Sequence, residues 1–264
     1  MDERARLREG LGSLGFDENR EAEDTLLRFS ALLLERNKVM NLTAITDPLE
    51  VAEKHMADCA ALLKARDLRG KRVIDVGCGA GFPGMPIKIL EPSIELTLLD
   101  SLQKRVDFLR DCCGRLPVAA RCVHGRAEEA GRDKAFREKY DVAVSRAVAP
   151  LNLLVELCLP FVRPGGVFLA MKSVSSEEET EAAMRGAALL GGGAATTWDY
   201  TLSPSGIVHR VVVIPKERPT PPAYPRRFAK MKEKPLSKER TCQPNDKKTP
   251  PDRPLPGPRP EPVG

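Results

Sequence analysis

Two aspartates and a run of glycines carry the clearest chemistry in this chain. The run is Val73-Ile74-Asp75-Val76-Gly77-Cys78-Gly79-Ala80-Gly81-Phe82-Pro83-Gly84, an apolar stretch that ends in a turn. Glycine accepts positive φ and lets backbone approach a ligand closely, so a turn of this kind after a buried strand cradles a cofactor. Gly77, Gly79, Gly81 and the adjoining Phe82 are its candidate contacts. One strand later, Leu96-Thr97-Leu98-Leu99 ends in Asp100, followed by Ser101. A carboxylate at that place accepts hydrogen bonds from both ribose hydroxyls of an adenosine-containing cofactor.

The spacing from Gly79 to Gly84 also satisfies GxGxxG, so by spacing alone a nicotinamide cofactor and S-adenosylmethionine both fit. Two features favour the sulfonium cofactor. Asp75 sits just ahead of the first glycine, where a carboxylate orders the loop and favours a cation but repels a pyrophosphate. The second is a closing pair of strands near residue 205, which an ordinary dinucleotide fold does not require. Each aspartate also has a purely structural reading, Asp75 as a cap on the loop and Asp100 as a cap on the helix that follows.

Further along, Arg121-Cys122-Val123-His124-Gly125-Arg126-Ala127-Glu128 reads as a strand running into a turn. The backbone of Ala127 and the side chain of Glu128 are placed to read an adenine edge. Asp141-Val142-Ala143-Val144-Ser145-Arg146-Ala147 is the next strand, and ligands in open parallel sheets bind outside the strand carboxyl ends. Arg146 is therefore a candidate contact to cofactor or to an RNA phosphate. Arg126, Arg146 and Lys172 are candidates for positioning a substrate, and Lys104 and Arg105 for steering phosphates. His55, His124 and His209 have no metal-ligand spacing, so no metal is expected and each reads as a structural histidine.

These residues need a scaffold that brings several strand ends together. The first seventy residues read helical: Leu26, Leu27, Phe29, Leu33 and Leu34 recur at helical spacing, and Asp47-Pro48 opens a second helix to about Lys64. From Arg72, short apolar runs alternate with helical segments, the signature of a parallel sheet covered on both faces. Strands are expected at 72–76, 95–99, 121–123, 141–144 and 167–171. The segments 194–202 and 207–214 flank Ser203-Pro204-Ser205-Gly206 and predict an antiparallel C-terminal hairpin. The expected organisation is a helical extension over 1–70 packed on a core at 71–215, then a tail over 216–264.

Composition agrees with a folded, water-exposed chain. Hydrophobic residues make up 42% and charged residues 30% of 264. No apolar run reaches a membrane-spanning length and the N-terminus has no secretory core, which predicts a cytoplasmic protein with no membrane partner. Its seven cysteines show no CxxC pairing and read as reduced. The net charge of +5 is uneven: residues 216–264 hold 13 Lys and Arg against 6 Asp and Glu, which leaves residues 1–215 slightly acidic. This tail carries 13 of the 23 prolines and few large apolar residues, so it is expected to be largely disordered. Its densest basic run, with Arg226, Arg227 and Lys230, suits a phosphate backbone.

Taken together, Asn37-Lys38-Val39-Met40-Asn41-Leu42-Thr43, His55 with Asp58, Asp75 to Pro86, Asp100 to Arg105, Arg126-Ala127-Glu128, Ser145-Arg146-Ala147 and Lys172 resemble the small-subunit ribosomal RNA guanine-N7 methyltransferase family, RsmG or GidB. The resemblance covers about residues 20 to 215. It implies a class I S-adenosylmethionine-dependent methyltransferase fold, Rossmann-like, with a mostly parallel seven-stranded sheet. It implies S-adenosyl-L-methionine as cofactor, one guanine of 16S ribosomal RNA or of the small ribosomal subunit as substrate, and Gly77, Phe82, Ala127, Glu128 and Arg146 at the cofactor. Guanine N7 carries an in-plane lone pair, so in-line displacement needs no obligatory general base. The oligomeric state expected is a monomer. The rival readings are a noncatalytic RNA-binding ribosome assembly factor and an NAD-dependent oxidoreductase.

Overall fold

The computed structural model describes residues 2–146, 149–174 and 177–236. Seven strands form one sheet in the order β3-β2-β1-β4-β5-β7-β6. They are β1 (Arg72–Val76), β2 (Glu95–Asp100), β3 (Ala120–His124), β4 (Tyr140–Arg146), β5 (Val162–Ser173), β6 (Thr196–Leu202) and β7 (Ile207–Pro215). The first five are parallel, and β7 runs antiparallel between β5 and β6. This is the class I methyltransferase arrangement, including the hairpin turned at Ser203 to Gly206.

The period of the strands sorts their side chains into two apolar layers. Val73, Leu96, Leu98 and Val144 face one layer, while Ile74, Val76, Leu99 and Ala143 face the other. Helices α5 (Gly84–Leu90) and α6 (Gln103–Arg115) cover the first, and α8 (Leu151–Cys158) and α9 (Glu177–Leu189) the second. Because β1 pairs with both β2 and β4, chain direction switches sides there, and the turns after β1 and β4 flank a crevice at the carboxyl ends.

Helices α1 (Glu3–Ser13) and α2 (Arg20–Met40) are not a separate unit. Their buried Leu7, Leu26, Phe29 and Leu33 share one core with Val73, Met85, Leu98 and Phe108. Asn37 closes the end of α2, its side-chain oxygen accepting from the backbone N–H groups of Leu42 and Thr43 at 2.6 and 2.9 Å. The helix expected from Pro48 to about Lys64 is interrupted. Asp47 caps α3 (Pro48–Val51), Ala52–Ala57 winds as a π-helix, and α4 (Ala61–Ala65) follows. The wider winding changes the angular position of later side chains, a device frequent at functional sites.

Residues 216–236 of the tail pack on the core, against the expectation of disorder. Lys216 is buried, its ammonium donating to the carbonyls of Leu159 and Leu190 at 2.9 and 3.0 Å. Arg137 donates to the carbonyls of Thr220, Pro221 and Tyr224, and Arg132 to those of Ala223 and Pro225. Met231 of α10 (Phe228–Glu233) is fully buried. Prolines cannot donate from their backbone, but their segment still offers carbonyls, and core arginines collect them. Composition alone hides this, because the partners lie about ninety residues upstream. The stretch 237–264, with Cys242, falls outside the described residues.

Candidate active site

Gly77 and Gly79 turn the chain at the end of β1 with φ of +73° and +56°. The backbone N–H groups of Gly77 and Cys78 donate to the Leu99 carbonyl at 2.8 and 3.1 Å, tying the turn to β2. Asp100, buried at the end of β2, accepts from the Gly79 N–H at 2.9 Å and from the Leu102 N–H at 2.8 Å. Asp100 thus ties the glycine turn to the turn ahead of α6 without capping that helix, and each oxygen keeps a second lone pair for a hydroxyl. Arg105 stands 3.6 Å from the same carboxylate. Beside these groups lies a crevice of about 200 Å³ lined by Gly77, Asp100, Ser101, Arg126, Ala127, Glu128 and Phe228, among others. Arg126 donates to Glu128 at 2.9 Å across its mouth.

The glycines divide into two kinds. A side chain at Gly79 would meet nothing closer than 4.0 Å. One at Gly81 would strike Leu109 and Met85 at 2.8 Å, and one at Gly84 would strike Leu98 at 2.6 Å. Gly81, expected among the cofactor contacts, instead lets the turn settle onto α2, α5 and α6; its missing Cβ would point into the core. Asp75 is fully buried beneath the turn and accepts from the Gly84 N–H at 2.7 Å, while its other oxygen has no hydrogen-bond partner. Burial pushes its carboxyl up to about 7, against the pull of that hydrogen bond and of Arg146.

On the β4 side, Arg146 organises a second set of side chains. Its guanidinium donates to the Lys54 carbonyl and to Asp58 at 3.1 Å each, and to His55 Nδ1 at 3.0 Å. Arginine has no acceptor, so His55 Nδ1 must be unprotonated and Nε2–H donates to Thr43 Oγ1 at 2.8 Å. Phe82 lies under both, 4.6 Å from the His55 ring and 4.7 Å from the guanidinium, and 5.7 Å from Phe29. Phe82 thus joins the glycine turn to Arg146. Asp58 also accepts from the Tyr200 hydroxyl at 2.6 Å and from His209 Nδ1 at 2.8 Å. A cavity of about 450 Å³ opens over this set, lined by His55, Asp58, Arg146, Lys172, Tyr200 and His209 with neighbours.

Burial pulls the Asp58 carboxyl up, yet the hydrogen bond from His209 and the Arg146 charge hold it below the usual range. The two histidines are driven apart. Burial, followed by the Arg146 charge, takes His55 down to about 4, whereas the hydrogen bond to Asp58 raises His209. His55 in the folded chain refuses a proton that the unfolded chain binds below about 6.5, so it removes stability as pH falls from 6.5 to about 4. His209 acts oppositely: its contribution is complete below about 6.5 and is lost as pH rises through its raised value. Proton NMR of the imidazole signals should show His55 silent between pH 7 and 5 and His209 titrating above 6.5. A midpoint near 6.5 for both would overturn this network.

Tyr200 and His209 were not legible as site residues. They face one another across the β6–β7 ladder, Tyr200 opposite His209, and only that register brings them to Asp58. The predicted basic residues disperse. Lys172 lines the cavity with Arg146. Lys104 is exposed on the first turn of α6, and Arg227 and Lys230 are exposed at α10. Arg226, expected on RNA, is a strut: it donates to the buried Glu156 through Nε and a terminal nitrogen, and to the Lys234 carbonyl through the other. Ala147 lies outside the described residues. Among the described residues no His, Cys, Asp and Glu group could hold a metal, no helix is long and apolar enough to cross a membrane, and Cys59, Cys78, Cys112, Cys113, Cys122 and Cys158 are free.

The GidB family, rRNA small subunit methyltransferase G, matches residues 22–197. A ribosomal RNA small subunit methyltransferase G of Alkaliphilus metalliredigens is 43% identical over 238 residues, covering 89% of this chain and 100% of that protein. One from Symbiobacterium thermophilum is 47% identical over 240 residues, covering 88% and 98%. A solved methyltransferase structure from Pyrococcus furiosus is 15% identical at a TM-score of 0.49, covering 74% of this chain and 98% of that one. With the family match running through the glycine turn, His55, Asp58 and Arg146, and relatives aligned over nearly their whole length, this chain belongs to the rRNA small subunit methyltransferase G (GidB) family.

Proposed function

We propose that this protein transfers a methyl group from S-adenosylmethionine to N7 of a specific guanine in 16S ribosomal RNA, as a cytoplasmic monomer acting on the RNA or on the small ribosomal subunit. The residues of the crevice suit that cofactor. Asp100 and Glu128 give its wall an acidic character, which favours a cationic ligand and disfavours a pyrophosphate. The open Cβ position of Gly79 leaves room for close backbone approach. Asp100 would take the ribose hydroxyls, Ser101 stands beside it, and Ala127 with Glu128 would hold the adenine edge. When bound, the cofactor supplies an electrophilic methyl on a sulfonium.

One observation carries the choice of reaction: the groups that would serve as general base are already engaged. Both ring nitrogens of His55 are taken, by Arg146 and Thr43, and Asp58 is satisfied by three donors. Neither His55 nor Asp58 is left to take a proton from a nucleophile, and Asp58 holds His209 toward its protonated form, whereas guanine N7 needs no base. What the cavity offers is donors, with Arg146, Lys172 and His209 on its wall to orient a base and its phosphates. Arg126 and Lys104 would steer RNA toward the crevice from the other side.

The test is transfer of labelled methyl from S-adenosylmethionine to 30S subunits and to naked 16S RNA, with the product mapped by borohydride reduction and aniline scission, which cut at N7-methylguanosine. A single new cut is expected. Label on another atom of guanine would refute the N7 assignment, cofactor binding without transfer would favour an assembly factor, and calorimetry showing NAD but not S-adenosylhomocysteine binding would favour an oxidoreductase.

A further inference from the structure

Phe228 opens α10, about a hundred residues beyond Ala127 and Glu128, and yet it lies with them in the wall of the crevice. The same ring borders a second opening of about 1000 Å³ between α10 and α7 (Ala127–Ala130). That opening is basic, with Arg126, Arg132, Arg227 and Lys232 on its wall against Glu128 and Glu129. The ring is the partition between the two. Arg126 places its guanidinium 5.6 Å from the ring centroid and Lys232 its ammonium 5.8 Å away.

The partition is held from behind. Arg226, next but one in the chain, is locked to Glu156, which is 1% exposed, at 2.6 to 3.1 Å. Met231, one turn after Phe228, is fully buried among α8 residues and the far apolar layer. Arg132 and Arg137 fasten the preceding segment by its carbonyls. Such a set of contacts is more than a solvated tail needs, and its result is one aromatic ring fixed beside Ala127 and Glu128 in the crevice wall.

We propose that Phe228 is a cofactor-binding residue, stacking on the adenine of S-adenosylmethionine, and that the docked C-terminal segment is thereby an integral wall of the cofactor pocket. The inference rests on the functional reading above. An aromatic face beside a purine contributes stacking that an aliphatic side chain of similar volume does not. Arg126, on the wall of both openings, ties the ring to the start of α7.

The experiment is titration calorimetry of the full chain with S-adenosylhomocysteine, on wild type, Phe228→Leu, Phe228→Tyr and Phe228→Ala, with thermal melts of each. Phe228→Leu is expected to weaken binding about tenfold and Phe228→Ala about thirtyfold, while Phe228→Tyr stays within about twofold of wild type. Melting temperatures should stay within a few degrees, since the ring is only partly buried. Wild-type affinity in Phe228→Leu would overturn the proposal, as would equal losses in Phe228→Leu and Phe228→Tyr. If wild type itself fails to bind S-adenosylhomocysteine, the functional reading falls; if wild type binds and Phe228→Leu binds as well, only this inference falls.

Discussion

Arg146→Met is expected to reduce methyl transfer at least a hundredfold and to destabilise the fold by about 3 kcal/mol, the scale of breaking a buried ion pair. The guanidinium holds three partners at once: Lys54 and His55 lie on the π-wound segment, and Asp58 directly follows it. Methionine keeps the apolar contact with Phe82 but leaves Asp58, 3% exposed, with only Tyr200 and His209, and leaves His55 Nδ1 open. Arg146→Lys separates charge from geometry. A lysine point charge can satisfy Asp58 but not bridge Asp58 and His55 together. Its stability should recover most of the loss while transfer stays at least tenfold down, about the cost of one lost charge-assisted contact in the transition state. Denaturant unfolding and labelled-methyl transfer check the two halves. Near-normal transfer by Arg146→Met would mean that the set is a packing feature with no part in positioning substrate.

Gly77→Asp should abolish cofactor binding, with S-adenosylhomocysteine affinity falling more than a hundredfold. Two effects add. At φ of +73° a side chain is strained, by about 1 to 2 kcal/mol. The new carboxylate then joins Asp100 and Glu128 at the closest backbone approach, where its bulk and charge act directly on the ligand. Gly77→Ala carries strain without charge and should lose about tenfold, if the strain falls wholly on the bound state. Calorimetry measures both, and a melting temperature within several degrees of wild type would show that the turn still forms. Unchanged affinity in Gly77→Asp would remove the glycine turn as the cofactor seat.

Much of this molecule was readable before any coordinates. Strand β1 spans the expected 72–76, six of the seven strands fall within two residues of their predicted bounds while β5 begins five residues early at Val162, and Asp100 stands at the crevice. These features are local: a strand announces itself by its period, and a turn by residues that tolerate its dihedrals. Asp75 was legible as a loop-ordering carboxylate, since its partner Gly84 is only nine residues away.

Everything that depended on distant partners had to wait for tertiary structure. Gly77 and Gly81 look alike in the chain, but one borders the crevice and the other lies against Leu109 and Met85. Arg226 and Arg227 look alike too, but the buried Glu156 claims the first and leaves the second exposed. The π-helical turn, the β6–β7 register and the end of β4 together bring His55, Asp58, Tyr200, His209 and Arg146 to one place, although no local pattern marks Tyr200 or His209 as members of a set. The sequence by itself therefore determined the sheet, the glycine turn and the likeness to a methyltransferase family. Only the tertiary structure decided which side chains face the cavity, what each is bonded to and that residues 216–236 close onto the core, because these depend on contacts between residues tens to hundreds of positions apart.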